Sequence, residues 1–206
     1  MLQADWCVQL CIVNNDKQKI TTMARLKALN PDEATGKTKE LFTAIQSKLG
    51  VVPNMMRTMG NSPALLQSYL NFNDTLAHGL LGAKNGELLA LAISEKNSCD
   101  YCVSAHSYIG EKLVHIDADT LTNARSAKSA DAKIEAALKF ADILVAKKGL
   151  VNDDDVNTVK GAGFTDGEIG EIVGHVALNI LTNYFNNTAG TENDFPAAKS
   201  LQEIEA

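Results

Sequence analysis

Glu87, Cys99, Cys102 and His106 carry the residue types and the spacing that thiol redox chemistry needs. On a helix, Cys99, Cys102, His106, Ile109 and Leu113 follow one another at steps of three and four, which places them on one face. Residues three apart on a helix have Cα atoms about 5 Å apart, inside the window of about 4.4 to 6.8 Å that a disulfide tolerates. The pair can therefore open and close with little backbone movement. Asn97 and Ser98 precede the cysteines, and either side chain can cap the helix by accepting from its free amides. Thiols at such an end sit in positive potential, but the dipole supplies only about 0.3 to 1 kcal/mol. Lowering a thiol pKa by two units from about 8.5 takes about 2.7 kcal/mol, so a neighbouring base or imidazolium must help. His106, one turn beyond Cys102, stands where that group is needed.

Glu87 opens an apolar segment that runs to Lys96, with Glu87, Leu91 and Ser94 on one stripe. If this segment and the cysteine helix form an antiparallel pair hinged at Asn97, Glu87 and His106 lie nearly level at about 1.5 Å per residue. The expectation is that the carboxylate orients and charges the imidazole. The imidazole then relays a proton to or from Cys102, directly or through a water.

Other readings of these residues compete. Two cysteines on an apolar face can be plain packing, although a histidine on the same stripe and an acid in register argue against it. Cys-x-x-Cys with a nearby histidine is also half of many zinc sites, with Glu87 or His175 as a further ligand, but no second ligand pair recurs in the chain. Haem attachment is excluded because Val103, not histidine, follows Cys102. A thioredoxin-like unit needs a strand before the motif, and the segment before Cys99 reads as helix.

The chain has 206 residues, 45% of them hydrophobic, which suffices for a sizeable core as one domain or two similar halves. A net charge of -6 with no basic block argues against nucleic acid as the main partner. No apolar run reaches the roughly eighteen residues of a membrane span. Met1 to Ile20 has neither the basic start nor the long apolar core of a secretory signal, so a cytoplasmic location is expected, where paired cysteines point to catalysis rather than stapling. Residues 1–22, with Trp6, Cys7 and Cys11, read as an N-terminal extension to one all-helical domain over residues 23–206, and these two cysteines as structural or incidental.

The whole chain reads as all-α. Lys37 to Leu49 is amphipathic and stops at Gly50, Pro53 to Met59 is short, and Ser62-Pro63 opens a helix toward His78. After the two helices around the motif, Asp119 to Ala124 is a further short helix. Ser129 caps a helix that Gly149 ends, Asn152 begins an acidic one, and Thr165 with Glu168 forms a capping box opening a helix to about Asn187. An internal repeat is visible: Phe72-Asn-Asp-Thr-Leu before Glu87 resembles Phe140-Ala-Asp-Ile-Leu before Glu168. Counting from Glu168, the cysteine and histidine positions become Ile180, Asn183 and Asn187, so the second half reads as a degenerate copy that supports the first about a pseudo-twofold axis. Glu171 and His175 read as a surface ion pair, and His78 and His115 as structural. Leu91 and Ile109 are candidate pocket residues that are equally ordinary core residues.

Glu87, the twelve-residue gap to Cys99-x-x-Cys102 and the following His106 resemble the motif of the alkylhydroperoxidase D-like branch of the carboxymuconolactone decarboxylase family. The resemblance extends through Val52-Pro-Asn-Met55 and Leu89-Ala-Leu-Ala-Ile-Ser94 over most of residues 24 to 187. It implies an all-helical bundle of two degenerate repeats that assembles into homo-oligomers, often trimers or hexamers. It also implies a thiol peroxidase with Cys102 as peroxidatic thiolate, Cys99 as resolving thiol, and Glu87 with His106 as proton relay. Such an enzyme takes a hydroperoxide as substrate and needs no bound cofactor or metal, only an external dithiol such as a lipoyl adaptor or thioredoxin. Alternatives are a disulfide reductase without peroxide specificity, a decarboxylase-like lyase of the wider family, whose members typically lack the cysteine pair, and a non-catalytic zinc-binding oligomer.

Overall fold

The computed structural model describes residues 24–204, which form ten helices and no strand. They are α1 (Gly36–Leu49), α2 (Asn54–Met59), α3 (Pro63–Ala77), α4 (Gly82–Lys96), α5 (Asp100–Lys112), α6 (Ala118–Arg125), α7 (Ala132–Ala146), α8 (Asp153–Gly161), α9 (Asp166–Ala189) and α10 (Leu201–Ile204). The all-α expectation is met. Cys7 and Cys11 lie outside the described residues.

Local chemistry sets most helix ends. The Ser62 side chain accepts from the Leu65 amide ahead of the first-turn proline of α3. Asn152 with Asp155, and Thr165 with Glu168, make reciprocal capping boxes at the starts of α8 and α9. Gly190, at φ 61°, takes the left-handed conformation that stops α9. Three ends differ from expectation. Asp131, not Ser129, caps α7, because its carboxylate reaches the amides of Lys133 and Ile134. Cys99 itself caps α5, as described below. Helix α4 starts at Gly82 rather than Glu87, because the Glu171 carboxylate on α9 accepts from the amides of Leu80 and Leu81 at 2.9 and 3.0 Å. An acid at a helix start also meets the positive end of the dipole.

Helix α4 is the axis of the fold. It packs against α5, α6, α7 and α9, and every residue from Leu88 to Ser94 is buried. A helix apolar on all sides is what an element surrounded by partners requires. One apolar cluster joins Leu88, Leu91 and Ile93 to Leu138, Phe140 and Ile172. A second gathers residues of α1, α2 and α3 around Cys99, Tyr101 and Cys102, with Phe42, Met55, Met59 and Leu66 among them. The sulfurs therefore sit inside a packed core, where truncating a buried Leu side chain costs about 2 to 5 kcal/mol.

Candidate active site

At the end of α4 the chain turns through Asn97 and Ser98. Ser98 adopts φ 51°, a left-handed conformation uncommon for a residue with a side chain, and Cys99 enters α5 as its N-cap. Neither Asn97 nor Ser98 caps this helix. The Cys99 sulfur accepts from the amide of Cys102 at 3.3 Å. Cys99 and Cys102 are joined as a disulfide with Cα atoms 5.3 Å apart, within the separation expected of helical i, i+3 cysteines. Both are buried, at 0% and 3% exposure.

One turn beyond Cys102, Glu87 and His106 meet as the register argument requires. His106 Nδ1 lies 2.8 Å from Glu87 Oε2, and both side chains are partly buried. With its proton on Nδ1 the imidazole donates to the carboxylate, which leaves Nε2 as the exchanging nitrogen. The packing of α4 against α5 thus joins Glu87 to His106, four residues beyond the disulfide-bonded Cys102 on α5. Ile109 is only half-buried and Leu113 is 62% exposed, so the apolar continuation of that face ends before Leu113.

Helix α9 contributes what the sequence did not single out. Asn186 donates its amide to Cys102 Sγ at 3.3 Å and to Met55 Sδ at 3.2 Å, and its own Oδ1 is buried without a partner. Asn183 donates to Ser94 Oγ at 3.1 Å and accepts from Asn97 at 3.0 Å. Asn187 donates to the Asn97 carbonyl at 3.0 Å. Asn183 and Asn187 are the positions that the count from Glu168 aligned with a cysteine and the histidine, and here they hold the turn before Cys99. Tyr101, between the cysteines, accepts from the Met55 amide at 3.3 Å and stacks edge-on against Phe195. Burial, reinforced by the Asp194 carboxylate, pushes its phenol pKa upward.

A cavity of about 120 Å³ opens beside the carboxylate and imidazole, with Tyr69, Glu87, His106, His175, Asn179 and Thr182 in its wall. Leu91 and Ile109 do not line it, because α4 turns Leu91 into the core. Burial, followed by the Glu87 carboxylate, pushes the Tyr69 phenol up to about 12. His175 is not in a surface ion pair: it is buried at 6% exposure, and Glu171 is occupied by the amides at the start of α4. Burial is the largest influence on its imidazole and lowers its pKa, opposed by Glu171 and Glu87 and aided by His106. His78 and His115 are exposed and stand apart from this site. Among the described residues, no group of three or more His, Cys, Asp or Glu is disposed to hold a metal ion. No described helix is long and apolar enough to cross a membrane.

This all-helical bundle, with a Cys-x-x-Cys disulfide at the start of α5 and a glutamate–histidine pair between α4 and α5, has the alkylhydroperoxidase D-like fold. Residues 63–144, which hold all four motif residues, match the model of the Carboxymuconolactone decarboxylase family. A structure described as an alkylhydroperoxidase AhpD core, an uncharacterized peroxidase-related protein from Ralstonia eutropha JMP134, is 25% identical with a TM-score of 0.72, covering 83% of this chain and 92% of the other. An uncharacterized peroxidase-related protein from Silicibacter sp. TM1040 is 22% identical with a TM-score of 0.73, covering 82% and 91%. The debrominase Bmp8, solved as a cysteine-to-alanine variant with 2,3,4-tribromopyrrole, shares the fold at 18% identity and a TM-score of 0.70, covering 84% and 93%. No curated protein matches the chain in sequence.

Proposed function

We propose that this protein is a thiol-dependent peroxidase that reduces organic hydroperoxides through a dithiol/disulfide cycle. The observation that carries the reading is the joining of Cys99 and Cys102 at the start of α5, with the Glu87 and His106 pair one turn further along. In the cycle, the Cys102 thiolate attacks the outer oxygen of ROOH and the O–O bond breaks. ROH leaves with a proton delivered by the His106 relay, and Cys102 is left as a sulfenic acid. The Cys99 thiol attacks that sulfur, water leaves, and the disulfide closes. An external dithiol, a lipoyl adaptor or thioredoxin, returns both thiols by exchange and is itself oxidised. No tightly bound cofactor is required by this cycle, and assembly into trimers or hexamers forms part of the same proposal.

The test is peroxide consumption with a dithiol donor, comparing wild type with Cys102→Ser. Turnover in the wild type and none in the variant is the expected result; undiminished turnover in Cys102→Ser refutes the assignment. If disulfide substrates are reduced but peroxide is not, the protein is a disulfide reductase. If a lactone is processed with both cysteines removed, it is a lyase. A bromopyrrole belongs in the same assay, because the thiol pair balances reductive debromination equally well: the carbon–bromine bond is replaced by carbon–hydrogen, bromide leaves, and the pair is oxidised to the disulfide.

A further inference from the structure

Asn186 on α9 holds two sulfurs with one nitrogen. Its amide donates to Cys102 Sγ at 3.3 Å and to Met55 Sδ at 3.2 Å, so the thioether and the cysteine sulfur are no further apart than those two contacts laid end to end. Among the described residues these sulfurs are the only hydrogen-bond partners of that side chain, whose oxygen is buried with none. The backbone fixes Met55 in this place. Its amide donates to the Tyr101 hydroxyl at 3.3 Å, and the amide of Asn54 before it donates to the Asp194 carboxylate at 2.8 Å. Leucine would fill a similar volume in such a core, whereas methionine adds a soft, nucleophilic sulfur. The peroxidase cycle gives that sulfur no task.

An oxidant that reaches Cys102 arrives beside Met55. Cys102 is 3% exposed and Met55 7%, and both belong to one apolar cluster, so a route that admits a hydroperoxide to the cysteine leads it to the neighbouring thioether. While the cysteines are reduced the competition is one-sided, because a thiolate is the better nucleophile. Closing the bridge reverses it. The joined Cys99 and Cys102 offer no thiolate, and Met55 is the sulfur next to them that a hydroperoxide can still oxidise. Burial does not single this methionine out: Met56 and Met59, on the same helix and in the same cluster, are 9% and 1% exposed. What distinguishes Met55 is the amide it shares with Cys102.

We infer that Met55 is a redox modification site, oxidised to the sulfoxide by hydroperoxide that arrives while the bridge between Cys99 and Cys102 is closed, and that the sulfoxide slows the enzyme by drawing the Asn186 amide away from Cys102. The inference rests on the peroxidase reading for the identity of the oxidant, and on the Asn186 contacts for the place of the modification. In the step, the thioether lone pair attacks the outer oxygen of ROOH. A sulfur–oxygen bond forms, the O–O bond breaks, the proton on the transferred oxygen passes to the leaving alkoxide, and ROH departs. The sulfur gives up two electrons and the peroxide takes them, so no further reactant is needed. A sulfoxide oxygen is a polar acceptor where a thioether sulfur is a weak one, and the Asn186 amide, held only by the two sulfurs, turns to it. A protein whose dithiol donor has run out thereby slows itself, and a methionine sulfoxide reductase restores it.

The test uses the intact protein in its disulfide form, incubated with tert-butyl hydroperoxide in the absence of any donor, then digested for fragmentation mass spectrometry. A gain of one oxygen at Met55, several-fold ahead of Met56 and Met59, is expected; burial alone would put Met56, the most exposed of the three, first. The bridge is next reopened with dithiothreitol, which leaves a sulfoxide in place, and alkylation of Cys102 by iodoacetamide is timed. Molecules carrying oxygen at Met55 should alkylate about tenfold more slowly than untreated protein, the loss of one hydrogen bond to the thiolate. Met55→Leu, a volume-conserving change, should alkylate at the same rate with and without peroxide treatment. Should that variant not fold, the order of the three methionines and the alkylation rate in the wild type decide the matter. Oxidation of Met56 or Met59 ahead of Met55, no oxygen at Met55, or unchanged alkylation in molecules that carry it overturns the inference. Peroxide consumption that is lost in Cys102→Ser, with no oxygen at Met55, removes this inference alone; oxygen at Met55 with undiminished consumption in Cys102→Ser supports the site while removing the peroxidase reading.

Discussion

Replacing Asn186 with leucine should make the Cys102 thiolate harder to form while leaving the fold intact. In the structure the Asn186 amide stands 3.3 Å from Cys102 Sγ and 3.2 Å from Met55 Sδ, so in the reduced protein it faces whatever charge Cys102 carries. Hydrogen bonds to charged groups contribute about 1.5 to 3 kcal/mol, and a soft sulfur acceptor belongs at the lower end. At 1.36 kcal/mol per pH unit, Asn186→Leu moves the midpoint of thiolate formation upward by about one unit. On the rising limb this is about a tenfold slower alkylation by iodoacetamide. The same substitution removes the Oδ1 that is buried without a partner, so thermal stability should hold or rise. The assay is thiolate absorbance near 240 nm against pH in a Cys99→Ser background, paired with a thermal melt. Asn186→Asp, which sets a carboxylate beside the sulfur, should raise the midpoint further. An unchanged midpoint in Asn186→Leu, with the melt intact, would show that the amide merely packs against the sulfur.

Cys99→Ser should leave the first half of the cycle intact and let a sulfenic acid accumulate on Cys102, detected by dimedone labelling and mass spectrometry after one equivalent of peroxide. Glu87→Gln should lower kcat about a hundredfold, the lower end of what a proton relay contributes, with peroxide KM little changed, because the contact to His106 Nδ1 loses its charge and not its shape. Stability should fall in mild acid through His175. Burial lowers its pKa from 6.5 against the opposing carboxylates of Glu171 and Glu87, so below that value the unfolded chain binds a proton that the folded chain resists. Its contribution is present above about pH 6.5 and is lost as the pH falls below it, and melts across pH 7 to 5 should show a drop that His175→Gln reduces.

Sequence reasoning reached whatever depends on neighbours a few residues apart. The start of α8 at Asn152 and the box of Thr165 with Glu168 are visible because a cap and the amide it serves lie within three residues of each other. The meeting of Glu87 with His106 was legible because helical rise is fixed, so residues nearly equidistant from a hinge must face one another. Contacts between distant segments were not. Glu171 capping the start of α4, and Asn186 reaching Cys102, join residues more than eighty positions apart, and periodicity names a face without naming what packs on it. A signal was present nonetheless: His175, Asn179, Thr182 and Asn186 follow at steps of four, three and four in an otherwise apolar helix. A polar stripe in such a helix has to be answered by something buried against it.

The sulfur of Cys99 has a second duty, since it also receives the hydrogen bond that begins α5. In the proposed cycle, the acceptor at the mouth of that helix changes character between thiol and bridged sulfur. The Cys102 amide proton thereby becomes a built-in gauge of whether the cysteine pair is joined or open, readable by its exchange with solvent.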